Sequence, residues 1–456
     1  MSGSLKHAWV LAAGLLVGTS LHAQDIPTAQ LNPELRAFIQ AYERIRKQYV
    51  DSTDEHKLVT AAINGMLSSL DPHSAFLDPE ALSELRAGTR GQFSGLGIEV
   101  SMEDGVVKVT GVMEGTPAHR AGLKAGDLLV KLGDTDIKGL TLTEAIARAR
   151  GKPDTDIALT VVRNGEPAPR IITLRRTLIR VHSVEHSLLE PGIGYVRLTL
   201  FQDRTADELV RALDDLWHQS ATPMRGIVLD LRDNPGGLLR AAVGVCAAFL
   251  PQDAAVVYTE GRNADSKRQF FASSRYYLRG EQEDFMQRLP AGAKSVPLVV
   301  LVNGASASAS EIVAAALQDH ERAAVIGTQT FGKGSVQAVF TLEDGSAVKL
   351  TTALFLTPKG HFIQARGVTP DILVDATGAA EQSDRLREAD LEGHLPAAPN
   401  AAEPAKTRPV AAAADSKAPP QVPNVKAGEG EVGSQPDPQL KRAVEFLKQL
   451  KLADNR

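Results

Sequence analysis

A single cysteine, Cys246, stands in a chain of 456 residues. One sulfur excludes intrachain disulfides and thiolate metal cages alike. It sits in the apolar run Ala241 to Leu250 and is expected in a core. Aromatic residues are sparse at 5%, and positive charge is not in excess: 50 Lys and Arg face 55 Asp and Glu, a formal charge of −5. The basic stripe that nucleic-acid binding requires is therefore missing. Long apolar runs are scarce as well. Ala8 to Leu21, about 14 residues, falls short of the ~20 that a spanning helix needs. With Lys6 and His7 before it and Ala23 after it, this run has the pattern of a signal peptide, residues 1–23, cut before Gln24. The mature chain is expected outside the cytoplasm, with no transmembrane span.

The length leaves room for two or three domains. Residues 24–90 read as a helical region. Asn32-Pro33-Glu34 is a helix start, followed by Leu35, Phe38, Ile39, Tyr42, Ile45 and Tyr49 on one face. A second helix carries Val59, Ile63, Met66, Leu67 and Leu70. From Gly91 the period shortens, and residues 91–178 read as strands enclosing two short helices, a small, partly open barrel. Residues 179–375 alternate strand and helix, an α/β layer pattern, with a charged and aromatic insertion at 263–294. Residues 376–436, rich in Ala, Pro and Gly, read as a disordered tether. Residues 437–456 form an amphipathic helix, expected to make a subunit contact.

The chemistry concentrates in two stretches. The apolar strand ending at Val302 runs into Asn303-Gly304-Ala305-Ser306-Ala307-Ser308-Ala309-Ser310, and a helix follows from Glu311. A serine at such a corner lies near the positive end of the helix dipole, where a developing oxyanion is favoured. Lys333 follows between Gly332 and Gly334. A serine with a lysine base is one of the convergent variants of the catalytic triad. Spacing alone does not choose among Ser306, Ser308 and Ser310. Asn234-Pro235-Gly236-Gly237 forms a tight turn after the strand Gly226 to Leu231.

These motifs, with Asp230-Leu231-Arg232-Asp233-Asn234-Pro235-Gly236-Gly237, resemble the C-terminal processing peptidases, or tail-specific serine proteases. Gly95-Leu96-Gly97-Ile98 and Thr116-Pro117-Ala118 through Gly126-Asp127 resemble a circularly permuted bacterial PDZ domain inserted in that family. The resemblance covers residues 30 to 375. It implies an α/β fold with a crotonase-like or protease-ring-like catalytic core, flanked by N- and C-terminal helical regions. It implies Ser308 as nucleophile, Lys333 as base and Gln337 in support, with the amides of Gly237 and Ala309 as oxyanion hole. Gly95, Leu96, Gly97 and Ile98 would hold a substrate's terminal carboxylate beside the strand Ile98 to Val100. Leu142, Ala145, Ile146 and Ala149 would offer an apolar helix face, and the PDZ domain would gate the site. Relatives further imply a periplasmic endopeptidase for envelope proteins and cell-wall hydrolases, oligomeric, and sometimes served by a lipoprotein adaptor.

Lys333 must lose its proton to act, so burial has to lower its pKa. Four residues of extended strand span roughly 13 Å, so Lys333 and Gln337 can meet only if the chain bends, expectedly at Gly334. No cofactor motif and no metal ligand set is present. Gly327 to Gly334 nearly spells a phosphate-binding loop but lacks its final Ser or Thr. His182-Ser183-Val184-Glu185-His186 matches a zinc-protease pattern in a strand-like context that would hold the rings apart. His320 lies at the far end of the nucleophile helix. A non-catalytic secreted PDZ scaffold remains the alternative function. The insertion 263–294 suggests a lid or partner contact near the site.

Overall fold

A computed structural model describes residues 32–103, 105–280, 282–375, 386–397 and 437–454. The expected signal peptide, residues 1–23, and most of the expected tether, 376–436, lie outside these residues. The chain divides into two compact units, Met1–Ile63 and Asn64–Arg456. The first holds α1 (Pro33–Gln48) and the start of α2 (Glu55–Ser68). Asn32 caps α1 by accepting the Leu35 amide at 2.8 Å, and Arg46 pairs with Glu55 at 3.2 Å. Leu35, Phe38, Ile45 and Tyr49 are all exposed.

In the second unit a short strand, β1 (Ala75–Leu77), interrupts the stretch expected to be helical, and a further helix, α3 (Pro79–Thr89), follows before the barrel. A two-stranded ribbon, β2 (Gln92–Gly95) with the later β9 (Thr177–Arg180), closes the base of the inserted module. Between them lie β3 (Ile98–Glu103), β4 (Val106–Val112), α4 (Pro117–Arg120), β5 (Leu128–Leu132), β6 (Thr135–Asp136), α5 (Leu142–Ala149), β7 (Asp156–Val162) and β8 (Arg170–Arg175). The sheet order is β3-β4-β5-β7-β8, with β6 on β5. Every pairing is antiparallel. Period-2 alternation drives it: Ile157, Leu159 and Val161 point to one core, while their neighbours do not. β3 is an edge strand.

The body continues with β10 (Val184–Glu190), β11 (Ile193–Leu198), α6 (Thr205–Gln219), β12 (Gly226–Asp230), α7 (Leu239–Phe249), β13 (Ala255–Glu260), β14 (Arg268–Phe271) and α8 (Ser274–Tyr277). It ends with β15 (Leu298–Val302), α9 (Ala309–Asp319), β16 (Ala324–Gly327), β17 (Ser335–Thr341), β18 (Ala347–Leu356), β19 (Ile372–Leu373) and α10 (Pro438–Asp454). The order β10-β11-β12-β15-β16-β19 makes a sheet that is parallel from β11 onward. Every residue of β12 and β15 is buried, because both faces are covered. Ile227, Leu229, Val300 and Val302 meet α6, α7 and α9, whereas Val228, Val299 and Leu301 meet α10. Strands β1, β13, β14, β17 and β18 form a second, antiparallel sheet.

Two expectations change here. Helix α10 packs on its own body: Ala443 and Leu447 are buried against the sheet, and Asp437 pairs with Arg232 at 2.8 Å. A cross-subunit role is not needed to bury its apolar face. The insertion 263–294 is no free lid either. Its β14 extends β13, Tyr277 is buried and donates to Asp284 at 2.9 Å, and Arg288 pairs with Asp207 of α6. Of Ala443 and Leu447, both buried, Leu447 is the larger side chain, so Leu447→Ala is expected to cost about 2–4 kcal/mol. A lower denaturation midpoint with unchanged far-UV circular dichroism checks it.

Candidate active site

Three neighbouring parallel strands, β12, β15 and β16, deliver the candidate residues from their carboxyl ends, where open α/β sheets commonly place ligands. β12 leads into the turn at 231–237. β15 leads into the serine cluster and α9. β16 leads into the loop carrying Lys333.

The three serines separate by environment. Ser306 is fully buried, its hydroxyl donating to Leu231 O at 2.8 Å. Ser310 is also fully buried and donates to Asn234 O at 2.8 Å. Both stitch the β12 turn to the β15 turn. Ser308 is half-buried and sits at φ 54°, ψ −111°. A non-glycine residue held there stores strain of order 1–3 kcal/mol, a pattern common at functional sites.

Glu311 holds the strained corner in place. Its carboxylate is fully buried and accepts four hydrogen bonds. Oε2 takes the amides of Ser308 at 2.8 Å and Lys333 at 2.9 Å. Oε1 takes the Thr330 hydroxyl at 2.5 Å and the Gly332 amide at 2.7 Å. One oxygen therefore binds the main chain of both candidate catalytic residues. Burial pushes the Glu311 carboxyl up to about 7, against the pull of these four donors. The loop that nearly spells a phosphate cradle does gather amides around an anion, but the anion is the protein's own carboxylate. The signal was readable: Ser308-x-x-Glu311 is a capping-box spacing.

Lys333 and Gln337 meet, with Lys333 Nζ donating to Gln337 Oε1 at 2.9 Å. The bend has a different source from the expected one. β17 begins only at Ser335, and its register slips between Val336 and Gln337. Gly334 serves close approach instead: a Cβ there would lie 2.1 Å from the Gln364 amide nitrogen. Burial, then the Lys349 charge, lowers the Lys333 amine to about 8. No hydrogen bond joins this amine to the Ser308 hydroxyl among the described residues. Gln337 also donates to Ser335 Oγ at 3.0 Å and Thr351 Oγ1 at 3.1 Å. Thr351 in turn donates to buried Asp71 at 3.0 Å. Asp71, unremarked in the sequence, collects the Ser74 hydroxyl and the His73 and Ser74 amides as well.

The turn carrying Gly237 packs on the serine corner. Gly236, just before Gly237, lies so close that a Cβ on it would be 2.9 Å from the Ala309 nitrogen and 2.8 Å from Ser308 Cβ. Neither the Gly237 nor the Ala309 amide has a protein acceptor among the described residues. Gly237 is exposed at φ 136°, and a Cβ there would meet Phe201 O at 2.2 Å. Arg232 anchors the preceding strand end, donating to Asp230 at 2.6 Å, and Tyr195 donates to the same carboxylate at 2.8 Å.

In the barrel module, Gly95 ends β2 and Ile98 opens β3, with Leu96 buried between them. Ala145 of α5 is core and Leu142 and Ala149 pack on it, while Ile146 is half-buried and stands outside that cluster. The histidine rivals do not assemble. His182 pairs with Glu208 and His186 with Asp215, and His320 bonds Ala255 O at the opposite end of α9.

Gly237→Ala keeps the amide but sets a Cβ 2.2 Å from Phe201 O at a φ of 136°, so the turn must shift and re-aim this candidate oxyanion donor; kcat is expected to fall by up to about 10²–10³-fold together with a lower denaturation midpoint. Glu311→Gln places an amide against the Ser308 and Lys333 amides, and is expected to reduce kcat more than it raises KM.

Residues 192–374 match the model of peptidase family S41, residues 94–169 a PDZ domain, and residues 12–81 the activating protease CtpB N-terminal domain. A carboxy-terminal-processing protease of Bartonella bacilliformis is 43% identical over 392 residues, 84% of this chain and 86% of that one. A carboxyl-terminal-processing protease of Synechocystis is 35% identical, covering 82% of this chain and 89% of its own. Among solved structures, a photosystem II D1 C-terminal processing protease matches at 31% identity and TM-score 0.42, covering 76% of this chain and 94% of that chain. The chain belongs to the C-terminal processing serine proteases of peptidase family S41, with a PDZ domain.

Proposed function

We propose that this protease is exported to the periplasm and cleaves envelope proteins chosen by their C-terminal tails, with Ser308 as nucleophile and Lys333 as base. The observation that carries the reading is the single Glu311 oxygen bonded by the amides of both residues. As Ser308 Oγ bonds the scissile carbonyl carbon, its proton passes to the neutral Lys333 amine, which Gln337 orients. The carbonyl electron pair moves onto oxygen, toward the amides of Gly237 and Ala309. Lys333 then gives the proton to the departing amine nitrogen as the C–N bond breaks. Water, deprotonated by the same amine, then bonds the acyl carbon; the C–Oγ bond breaks, and Lys333 returns the proton to Ser308 Oγ.

The Gly95 to Ile98 loop would hold the tail carboxylate, with the tail added as a strand beside β3. The N-terminal pattern of residues 1–23 supports export, and the parallel sheet with α6, α7 and α9 on one face suits a crotonase-like core. Exposed Leu35, Phe38, Ile45 and Tyr49 support oligomerisation through α1. A dead PDZ scaffold is disfavoured because Ser308, Lys333 and their supports are intact.

Cleavage of a protein ending in an apolar tail should disappear in Ser308→Ala. Amidating the tail carboxylate should lower kcat/KM at least about tenfold, since a lost charge-assisted bond is worth ~1.5–3 kcal/mol; equal cleavage of both tails would contradict tail recognition. The Lys333 value sets a further sign. Its folded pKa, about 8, lies below the ordinary 10.5. The residue therefore penalises the fold below pH ~8 and stops doing so above 10.5. Lys333→Met is expected to be inactive yet more stable at pH 7 by about 1–3 kcal/mol, as read by chemical denaturation.

A further inference from the structure

Past the core, residues 386–397 return to the catalytic loop and bury a carboxylate there. Glu388 is fully buried. Its amide donates to Phe331 O at 3.0 Å, two residues before Lys333. Its Oε1 accepts Gln364 Nε2 at 2.8 Å, and Gln364 Oε1 accepts the Gly334 amide at 2.9 Å, one residue after Lys333. His73 Nε2 lies 2.8 and 3.0 Å from the two oxygens. The segment is fastened further by Arg387, which donates to Arg366 O at 2.5 Å, and by Gln364 donating to Leu395 O at 3.2 Å. Glu388 thus grips the main chain on both sides of the base. It lies beyond the span matched to peptidase family S41, which ends at residue 374.

We propose that Glu388 is a positioning residue for Lys333 and supplies a countercharge to the ammonium that forms when Lys333 takes the serine proton. The proposal rests on the Ser308–Lys333 reading above. A surface strap has no need of a fully buried carboxylate, and neutral side chains could close the same space without the desolvation cost. A base that becomes charged in a buried site gains from a fixed negative group aimed at it beforehand. The charged groups around Lys333 are Lys349 on β18, Glu311 on α9, Asp71 before β1, and Glu388. Lys349 disfavours the ammonium, and the three carboxylates favour it. Hydrogen bonds and the His73 pairing hold Glu388 ionised despite its burial.

The test is the pH profile of kcat/KM for a tail-bearing peptide, in the full-length enzyme. Glu388→Gln keeps the shape and removes the charge. Its acidic limb should move to lower pH by about half a unit or more, because a lost countercharge destabilises the ammonium. At the plateau kcat should fall with KM nearly unchanged. Lys349→Gln should move the same limb to higher pH, which identifies the limb with the Lys333 amine. A limb unmoved by Glu388→Gln, with or without lower amplitude, overturns the proposal. Should Glu388→Gln not fold, Gln364→Met cuts the tie to the Gly334 amide, and unchanged kcat there overturns it equally. Absence of Ser308-dependent cleavage in the wild type would instead remove the underlying catalytic reading.

Discussion

A buried carboxylate with four donors, Glu311, is the contact from which the rest of the site takes its shape. An ionised acid without partners in that position would be prohibitive. Here the partners are the catalytic chain itself: the amide before α9 and three groups of the loop after β16. The compensation for burying Glu311 is therefore obtained only when the serine corner and the lysine loop are both in place. That coupling holds Ser308 in a backbone conformation it would not otherwise adopt. The same folding event that satisfies the charge assembles the site.

The sheet beneath makes this possible. β12, β15 and β16 are adjacent and parallel, so their carboxyl ends emerge together. Their alternating residues fill two cores, one under α6, α7 and α9 and the other under α10. Packing on both faces leaves the strand ends little freedom, and sites built on rigid elements are the more accurately held. Ser306 and Ser310, the hydroxyls that compete with Ser308 in sequence, tie the turns of β12 and β15 to one another. Around Lys333, Asp71 comes from before the PDZ module and Glu388 from after the core. The environment of Lys333 is gathered from the whole length of the second unit.

Much of this was legible in the residues. The strand expected from Gly226 to Leu231 is observed as Gly226–Asp230, and the one expected to end at Val302 is observed as Leu298–Val302, because continuous apolar runs of strand length announce fully covered elements. Ser308, Lys333 and Gln337 were named through family resemblance, and the structure brings Lys333 to Gln337. What stayed hidden was long-range. The β17–β18 hairpin mixes polar and apolar residues, being half exposed, so its pattern is faint. Asp71 and Glu388 are ordinary acids until the fold brings them into hydrogen-bonding contact with Thr351 and Gln364, 280 and 24 positions away along the chain. Helix α10 shows an apolar face without saying what covers it, and the covering surface proved to be the chain's own sheet.

The central claim is that burial, with the Lys349 charge beside it, outweighs the surrounding carboxylates and leaves Lys333 able to serve as a neutral base. Site-specific titration of its amine by NMR of lysine-labelled protein, assigned with a Lys333→Arg control, measures that directly. The account predicts an amine titrating near 8. A value at the ordinary 10.5 would contradict it.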